Sequence, residues 1–123
     1  MLRDFTYIND IVEGVILCID KILLPDLDWY AEDSNPSTST APYRIYNIGN
    51  SFPIKLMDFI QSIESACDKM AVKNYLPMQP GDVYQTNADT SALERDMGYK
   101  PAKKLNDGIK ETVEWFKEYY KLQ

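Results

Sequence analysis

Three stretches of the chain repeat apolar residues at intervals of three and four positions, the spacing that places them on one face of an α-helix. The stretches span residues 8–23, 56–70 and 105–120. Polar residues fill the positions between, so each stretch predicts an amphipathic helix with one buried face. Gly14 lies inside the first stretch and weakens it by about 1 kcal/mol relative to alanine, which indicates that another backbone packs closely there.

Capping residues refine the helix ends and indicate a fourth, shorter helix. Asn9 or Asp10 is the expected N-cap of the first helix. The short helix begins after Asp89 or Thr90 and ends at Gly98, because glycine adopts the left-handed backbone conformation of many helix C-termini without steric cost. The chain is therefore expected to contain four helices.

Four extended segments predict short β-strands between these helices. They span residues 3–7, 43–48, 52–54 and 72–78. The segment 43–48 is largely apolar on both faces, which is typical of a strand with sheet neighbours on both sides. The predicted order β-α-β-β-α-β-α-α has too few strands for a complete open sheet. We therefore expect a single α/β domain over residues 1–123, with few short strands and about four helices.

A long loop is predicted between the first helix and the second strand. Residues 26–42 are polar, contain two prolines and show no periodicity. Loops of this length are uncommon inside compact domains and tend to be mobile or functional. The segment is either a lid or an exposed insertion, and the sequence leaves both interpretations open.

Composition and charge exclude several classes of protein. The chain has 123 residues, 45% of them hydrophobic and 26% charged, and no apolar run long enough for a membrane span. Its N-terminus lacks the basic and apolar segments of a secretory signal, so a cytoplasmic location is the expectation. The net charge of −6 repels a phosphate backbone, which argues against nucleic-acid binding.

The residue types needed for many catalytic and cofactor sites are missing. The chain contains no histidine, which excludes histidine-based triads and the usual transition-metal sites. Cys18 and Cys67 lie inside apolar helical patterns without CxxC spacing, so reduced core residues are expected. The five glycines form no G-x-G or G-x-x-G pattern, so no cofactor-binding loop is predicted.

One apparent catalytic motif is spurious. Tyr99 and Lys103 match the Y-x-x-x-K spacing that lets a helix present a tyrosine acid/base beside a lysine. Pro101 lies between them and cannot donate to a helix interior, and Gly98 has just ended the preceding helix. The two side chains therefore should not share a helical face, and no catalytic residue is predicted in this chain.

Two polar sites remain as candidates, each with an alternative. Gln79 and Asp82 flank a Pro-Gly turn, where a carboxylate could accept hydrogen bonds from both hydroxyls of a ribose; equally, Asp82 could only organise the turn. Arg3 stands at the head of a strand, where its guanidinium could bind a phosphate or pair with the adjacent Asp4 at the surface.

Four motifs resemble those of one family. Residues 3–14, RDFTYINDIVEG, resemble the R-D-F-x-[YH]-[VI]-x-D segment of the extended short-chain dehydrogenase/reductases that modify nucleotide sugars. The segments Y-N-I-G at 46–49, Q-P-G-D-V at 79–83 and A-D through G-Y-K-P at 88–101 resemble later motifs in the same order. Within the family, the sequences of these motifs look most like those of bacterial UDP-glucuronate 4-epimerases of the capsule type. This resemblance implies a role in polysaccharide biosynthesis.

The resemblance implies a C-terminal, substrate-binding part of an NAD-dependent epimerase. In the complete enzyme, NAD would take a hydride from C4 of the sugar and return it to the other face of the 4-keto intermediate, interconverting UDP-glucuronate and UDP-galacturonate. The catalytic tyrosine and the N-terminal Rossmann domain that binds NAD would lie upstream. This chain alone is therefore expected to hold no cofactor and to be inactive.

The resemblance also implies roles for four residues. Arg3 would contact the diphosphate of the UDP-sugar, and Asp82 would contact its ribose. Gln79 stands where many relatives have an arginine that reaches the phosphate. Thr86 stands where a tyrosine contacts the substrate in UDP-galactose epimerases, a departure that is consistent with a different sugar.

Two other functions compete with the epimerase fragment. The chain could be a free-standing module that binds a nucleoside diphosphate, or an oligomerising remnant without a ligand. In the full fold, the segment 43–48 would be the last strand of the Rossmann sheet. Its exposed apolar edge would then meet either the missing domain or a second copy of the chain.

Overall fold

The computed structural model describes residues 1–32 and 35–122. Those residues form four helices and a two-stranded antiparallel sheet, in the order β1, α1, β2, α2, α3, α4. Their bounds are β1 Leu2–Arg3, α1 Ile8–Ile19, β2 Ile54–Lys55, α2 Leu56–Cys67, α3 Ser91–Met97 and α4 Leu105–Tyr120.

The first strand lies between two partners. On one side β1 pairs antiparallel with β2, with Leu2 opposite Lys55. On the other side Leu2 forms a parallel bridge with Gln85: its N–H donates to the carbonyl of Tyr84 at 3.0 Å, and its carbonyl accepts the N–H of Thr86 at 3.2 Å. A strand of only two residues is held in place because both of its edges are hydrogen-bonded.

The four predicted helices are confirmed, with changes at both ends of α1 and at the end of α2, which stops at Cys67 and does not reach residue 70. Thr90 is the N-cap of α3, and Gly98 ends it at φ 66° with its N–H bonded to the carbonyl of Glu94. The N-cap of α1 is Tyr7 and not Asn9 or Asp10, so that expectation was wrong. The helix also ends at Ile19 instead of continuing to residue 23, because the apolar residues that follow are largely exposed and a further turn would bury little surface.

Two of the predicted strands are wrong. The segment 43–48 makes only an isolated bridge between Thr38 and Arg44, and residues 72–78 form no strand pairing within the described parts of the chain. A strand is stable only when a neighbour accepts and donates its backbone hydrogen bonds. Residues 43–48 have a neighbour only at this bridge and at the hydrogen bond from the N–H of Ile45 to the carbonyl of Ser37, and residues 72–78 have none among the described residues. The predicted strands at 3–7 and 52–54 shorten to β1 and β2 for the same reason.

The buried core is small and lies between the helices. Leu93 of α3 and Pro101 are fully buried. The rings of Phe5 and Phe59 stack with centroids 3.9 Å apart, which packs the end of β1 against α2. Helix α2 packs along α4. Cys18 and Cys67 are both free and half-buried, in keeping with their predicted structural role.

Gly14 is tightly packed, but against side chains. A Cβ at this position would lie 3.2 Å from Cδ1 of Ile48 and 3.4 Å from Cε1 of Tyr99. The expectation that another backbone approaches Gly14 was therefore wrong. The glycine instead leaves room for the segment 43–48 and the residues after α3 to pack on α1.

The opposite face of α1 is exposed. Five apolar residues at helical spacing are between 43% and 76% exposed: Ile8, Val12, Val15, Ile16 and Ile19. They line one side of the helix, and Gly14 and Cys18 lie on the other. The chain thus buries one face of α1 and leaves an unpartnered apolar face, called here the outer face of α1.

The predicted loop at 26–42 contains turns and no helix or strand in its described residues, and residues 33 and 34 lie outside them. Its ends are held together by the N–H of Asp26, which donates to the carbonyl of Ser39 at 2.9 Å. Trp29 Nε1 donates to the carbonyl of Asn35 at 3.3 Å. The described part of the segment is thus an exposed surface loop, and a role as a lid stays a prediction.

Candidate functional site

Arg3 lies on β1 with its charge uncompensated. Its Nη1 donates to the carbonyls of Leu2 at 2.9 Å and Tyr84 at 3.3 Å. Within residues 1–32 and 35–122 no carboxylate lies within 4.0 Å of its guanidinium, so the alternative of a surface ion pair with Asp4 was wrong. Two carbonyls orient the guanidinium while leaving its charge available for an anion.

Asp4 points away from Arg3 and binds backbone N–H groups of two distant segments. Its Oδ2 accepts the N–H groups of Ser51 at 3.0 Å and Ala88 at 3.1 Å, and its Oδ1 accepts that of Phe52 at 3.4 Å. Hydrogen bonds to an ionised carboxylate are about twice as strong as neutral ones. Asp4 therefore fixes the residues after 49 and the residues before α3 against the end of β1.

Two more polar side chains of the same motif act in the same way. Thr6 Oγ1 accepts the N–H of Asn50 at 3.1 Å. Asp10 Oδ2 accepts the N–H groups of Ala102 at 3.0 Å and Lys103 at 2.9 Å. These roles of Asp4, Thr6 and Asp10 were missed by the sequence analysis, because their partners lie 44 to 93 positions away in the chain and no local spacing indicates them.

The turn at 47–51 packs directly on the segment that precedes α3. Ser51 Oγ donates to the carbonyl of Ala88 at 2.7 Å, and Asn47 Nδ2 donates to the carbonyl of Asp89 at 3.1 Å. Gly49 permits this approach, since a Cβ there would lie 2.5 Å from Cβ of Ala88. The segments 3–10, 46–51 and 88–101, which carried three of the four motif resemblances, thus contact one another.

Thr86 lies beside Arg3 and links the residues around Gln85 to β1. Its Oγ1 accepts the N–H of Asp4 at 3.0 Å, and its own N–H donates to Leu2 at 3.2 Å. No residue in the described part of the chain accepts a hydrogen bond from the Thr86 hydroxyl, so its proton is available for donation. Any contact of Thr86 with a ligand would therefore combine with a structural role.

Gln79 and Asp82 lie on the turn that leads into this segment. The N–H of Asp82 donates to the carbonyl of Gln79 at 3.1 Å, and Gly81 has φ 92°. The amide of Gln79 donates to the carbonyl of Pro77 at 3.1 Å. The backbone of Asp82 closes the turn, and its exposed carboxylate accepts no hydrogen bond from any described residue. The structure places Arg3 and Thr86 side by side, and within the described residues no hydrogen bond or ion pair joins Gln79 or Asp82 to either of them.

Tyr99 and Lys103 lie between α3 and α4 and share no helical face, as predicted. Tyr99 donates its hydroxyl to the carbonyl of Asp10 at 2.9 Å, and Lys103 pairs with Glu111. Burial, with the nearby charges of Asp10 and Glu13, raises the pKa of Tyr99 to about 12. A tyrosine that serves as a proton acceptor near neutral pH needs its pKa shifted in the opposite direction.

A second polar cluster, formed by Tyr7, Lys103 and Glu111, lies on the wall of a groove of about 630 Å³ between α1 and α4. The Lys103 ammonium lowers the pKa of Glu111, and the Glu111 carboxylate in turn raises the pKa of Lys103. A hydrogen bond to Glu111 raises the pKa of Tyr7. The three groups satisfy one another, which is typical of a structural cluster.

The described residues show neither a metal-binding cluster nor a membrane-spanning helix. Those residues contain no group of three or more histidine, cysteine, aspartate or glutamate side chains able to hold a metal ion. None of their helices has both the length and the apolar character needed to cross a lipid bilayer.

Sequence comparison finds relatives over nearly the whole chain. The chain is 50% identical over 122 residues to a 37.6 kDa protein of Escherichia coli O111:H-, covering 99% of this chain and 36% of that protein. It is 36% identical over 123 residues to the probable UDP-glucuronate 4-epimerase of Rhizobium meliloti, covering 98% of this chain and 36% of the relative. The chain thus spans about a third of the length of the curated relatives it matches. No protein-family model matches it.

The fold of this chain is similar to part of a solved epimerase structure. The crystal structure of UDP-glucuronic acid 4-epimerase from Bacillus cereus, in complex with UDP-glucuronic acid and NAD, is 27% identical and superposes with a TM-score of 0.70. The match covers 95% of this chain and 32% of that one. The predicted α/β fold, with few short strands and four helices, is confirmed.

Proposed function

Because its sequence and fold are similar to those of the C-terminal part of NAD-dependent nucleotide-sugar epimerases of the extended short-chain dehydrogenase/reductase family, we propose that this chain is the UDP-sugar-binding portion of a 4-epimerase. The complete enzyme would interconvert UDP-glucuronate and UDP-galacturonate through a 4-keto intermediate. The observation that carries this proposal is the match over 98% of the chain to about a third of a probable UDP-glucuronate 4-epimerase.

The charges of the candidate site support binding of a nucleoside diphosphate. The guanidinium of Arg3 has no anionic partner among the described residues and is held by the carbonyls of Leu2 and Tyr84. A planar guanidinium matches phosphate oxygens with two parallel hydrogen bonds. The carboxylate of Asp82 accepts no hydrogen bond from any described residue, so it could accept hydrogen bonds from the vicinal hydroxyls of a ribose. Gln79 and Thr86 would add uncharged hydrogen bonds.

The chain's own residues do not fit NAD. A dinucleotide site needs a glycine-rich turn before a helix N-terminus that faces the pyrophosphate. The residues that cap the four described helices are Tyr7, Lys55, Thr90 and Lys104, and no glycine-rich segment precedes any of them. The remaining two-thirds of the enzyme would therefore bind NAD and contain the proton-transferring tyrosine. This chain would not catalyse the reaction alone.

The outer face of α1 supports a docking role in the same assembly. An exposed face formed by five neighbouring apolar side chains is unfavourable in water and typically marks a contact surface. We propose that the NAD-binding domain of the epimerase covers this face and pairs with the segment 43–48. A second copy of the chain is the alternative occupant in the absence of that domain.

Titration of the 123-residue chain with UDP, followed by NMR, tests the binding proposal. We expect the resonances of Arg3 and Asp82 to shift, and we expect Arg3→Gln to weaken UDP binding by about tenfold, since a charged hydrogen bond to phosphate is lost. Arg44→Gln removes the same charge outside the site and serves as the matched control. Unchanged resonances at Arg3 and Asp82 would contradict the proposal.

A turnover assay tests the catalytic half of the proposal. With UDP-glucuronate and added NAD, the isolated chain should form no UDP-galacturonate. Detectable product would show that the chain carries its own redox machinery. UDP affinity of about micromolar or tighter would instead favour a free-standing nucleotide-binding module.

A further inference from the structure

Asp4 joins all the segments that surround Arg3. Its backbone N–H donates to Thr86 Oγ1, and its carboxylate accepts the N–H groups of Ser51, Phe52 and Ala88. Every second residue from Tyr84 to Ala88 is thus hydrogen-bonded to the start of the chain. Tyr84 bonds to Leu2 and Arg3, and Thr86 bonds to Leu2 and Asp4. Ala88 bonds to Asp4.

This attachment sets the position of both charged groups of the proposed site. Arg3 is adjacent to Asp4, and its Nη1 is bound to the carbonyl of Tyr84. Asp82 lies two residues before Tyr84, on the turn closed by its N–H bond to Gln79. A shift of the segment 84–88 along β1 would therefore move the guanidinium and the carboxylate relative to each other.

Asp10 provides an internal comparison. Like Asp4, it is an aspartate of the N-terminal motif whose carboxylate accepts backbone N–H groups from a distant segment, in this case from Ala102 and Lys103. None of its hydrogen-bond partners belongs to the segment 79–88 or to Arg3. Loss of either carboxylate weakens one long-range attachment, but of the two only the carboxylate of Asp4 binds the segment beside Arg3, at Ala88.

We propose that Asp4 is a positioning residue for nucleotide recognition, which fixes the distance between the guanidinium of Arg3 and the carboxylate of Asp82. The inference rests on the proposed function, because it assigns these two groups to the diphosphate and the ribose of one ligand. Two protein groups that bind different parts of one ligand bind it tightly when their separation is fixed before binding.

The test compares Asp4→Asn with Asp10→Asn in the 123-residue chain. Affinities for UDP and for uridine are measured by NMR titration, each corrected for the folded fraction of the variant. We expect Asp4→Asn to weaken UDP binding by about tenfold and uridine binding much less, because uridine has no phosphate for Arg3 to reach. Asp10→Asn should leave the ratio of UDP to uridine affinity within about twofold of that of the unsubstituted chain.

Amide hydrogen exchange identifies the attachment that each variant loses. Exchange at Ser51 and Ala88 should accelerate in Asp4→Asn, and exchange at Ala102 and Lys103 should accelerate in Asp10→Asn. If Asp4→Asn does not fold, Asp4→Glu keeps the charge and displaces the acceptor oxygens by one methylene. The ratio of UDP to uridine affinity should fall in that variant as well.

The outcomes separate the inference from the proposal beneath it. An unchanged ratio of UDP to uridine affinity in both Asp4 variants would show a purely structural role and overturn the inference alone. Failure of the unsubstituted chain to bind UDP would overturn the proposed function and the inference with it. A lowered ratio in the Asp4 variants, with an unchanged ratio in Asp10→Asn, supports the inference.

Discussion

Single carboxylates in this chain satisfy backbone N–H groups that no helix or strand pairs. Asp4 and Asp10 do so across 47 to 93 positions of sequence, and Glu64 does so near the C-terminus of α2. Glu64 is buried, accepts the N–H of Ala71 at 2.8 Å and pairs with Lys73. A buried charge is tolerated only where partners of this kind replace water. Asp4, Asp10 and Glu64 thus have structural roles, which the count of acidic residues in the sequence does not indicate.

Glu64 makes stability depend on pH. Its hydrogen bond to Lys73, together with that from Ala71, lowers its pKa below the ordinary value of 4.5. A carboxylate whose pKa is lowered by folding contributes stability that is complete above the unfolded-state pKa and is lost as the pH falls through the folded-state pKa. We therefore expect the free energy of unfolding to decrease below about pH 4.5, and to decrease less in Glu64→Gln.

Chemical denaturation at a series of pH values measures this dependence. Glu118→Gln is the matched control, because Glu118 forms no ion pair with any residue in the described ranges. The control should retain the full acid dependence. Identical pH profiles for Glu64→Gln and the unsubstituted chain would show that Glu64 does not contribute.

The individual elements are short, and their positions depend on contacts between turns. The two strands contain two residues each, and α3 contains seven. Leu93 of α3 is fully buried, so this helix contributes to the core despite its length. What orders the region is the contact between the turn at 47–51 and the residues before α3, through Ser51, Asn47 and Gly49.

Substitution of Gly49 tests this contact. A Cβ in Gly49→Ala would lie 2.5 Å from Cβ of Ala88, so the two segments must separate. We expect a loss of about 1–3 kcal/mol in the free energy of unfolding, the usual cost of overpacking. The double variant Gly49→Ala/Ala88→Gly removes the clashing methyl group and should recover a large part of that loss. Equal stability of the single and double variants would contradict the assigned clash.

The described residues leave many large apolar side chains exposed to solvent. The outer face of α1, the segment 43–48 and the segment 72–78 all carry large apolar side chains at the surface, with Val72 fully exposed. The relatives that match this chain are about three times as long. This combination is what a docking surface for a further domain would present.

Self-association is the expected behaviour of the isolated chain. Sedimentation velocity over a range of concentrations should show oligomers, and Ile16→Lys, on the outer face of α1, should shift the distribution toward monomer because it places a charge in the contact. Leu27→Lys is the matched control, since Leu27 is 86% exposed in the loop outside α1. A chain that stays monomeric at every concentration would contradict the prediction, as would equal effects of both substitutions.

The positions of the four helices, the absence of histidine and the resemblance to nucleotide-sugar epimerases were all determined by the sequence itself. Helix α3, with Thr90 at its start and Gly98 at its end, was predictable because helical hydrogen bonds and caps connect residues only a few positions apart. The candidate residues Arg3, Gln79, Asp82 and Thr86 were named from motifs, and their roles remain predictions.

Only the tertiary structure decided how those residues are held. Residues 43–48 and 72–78 have the composition of strands, but a strand needs a partner along its length. Among the described residues, 43–48 have only an isolated bridge to Thr38, and 72–78 have no strand partner. An ion pair between Asp4 and its neighbour Arg3 was one of the two alternatives that the sequence left open, and Asp4 binds Ser51 and Ala88 instead. Pairing across such distances depends on how the whole chain folds, which is why local patterns identified the charged groups but not their partners.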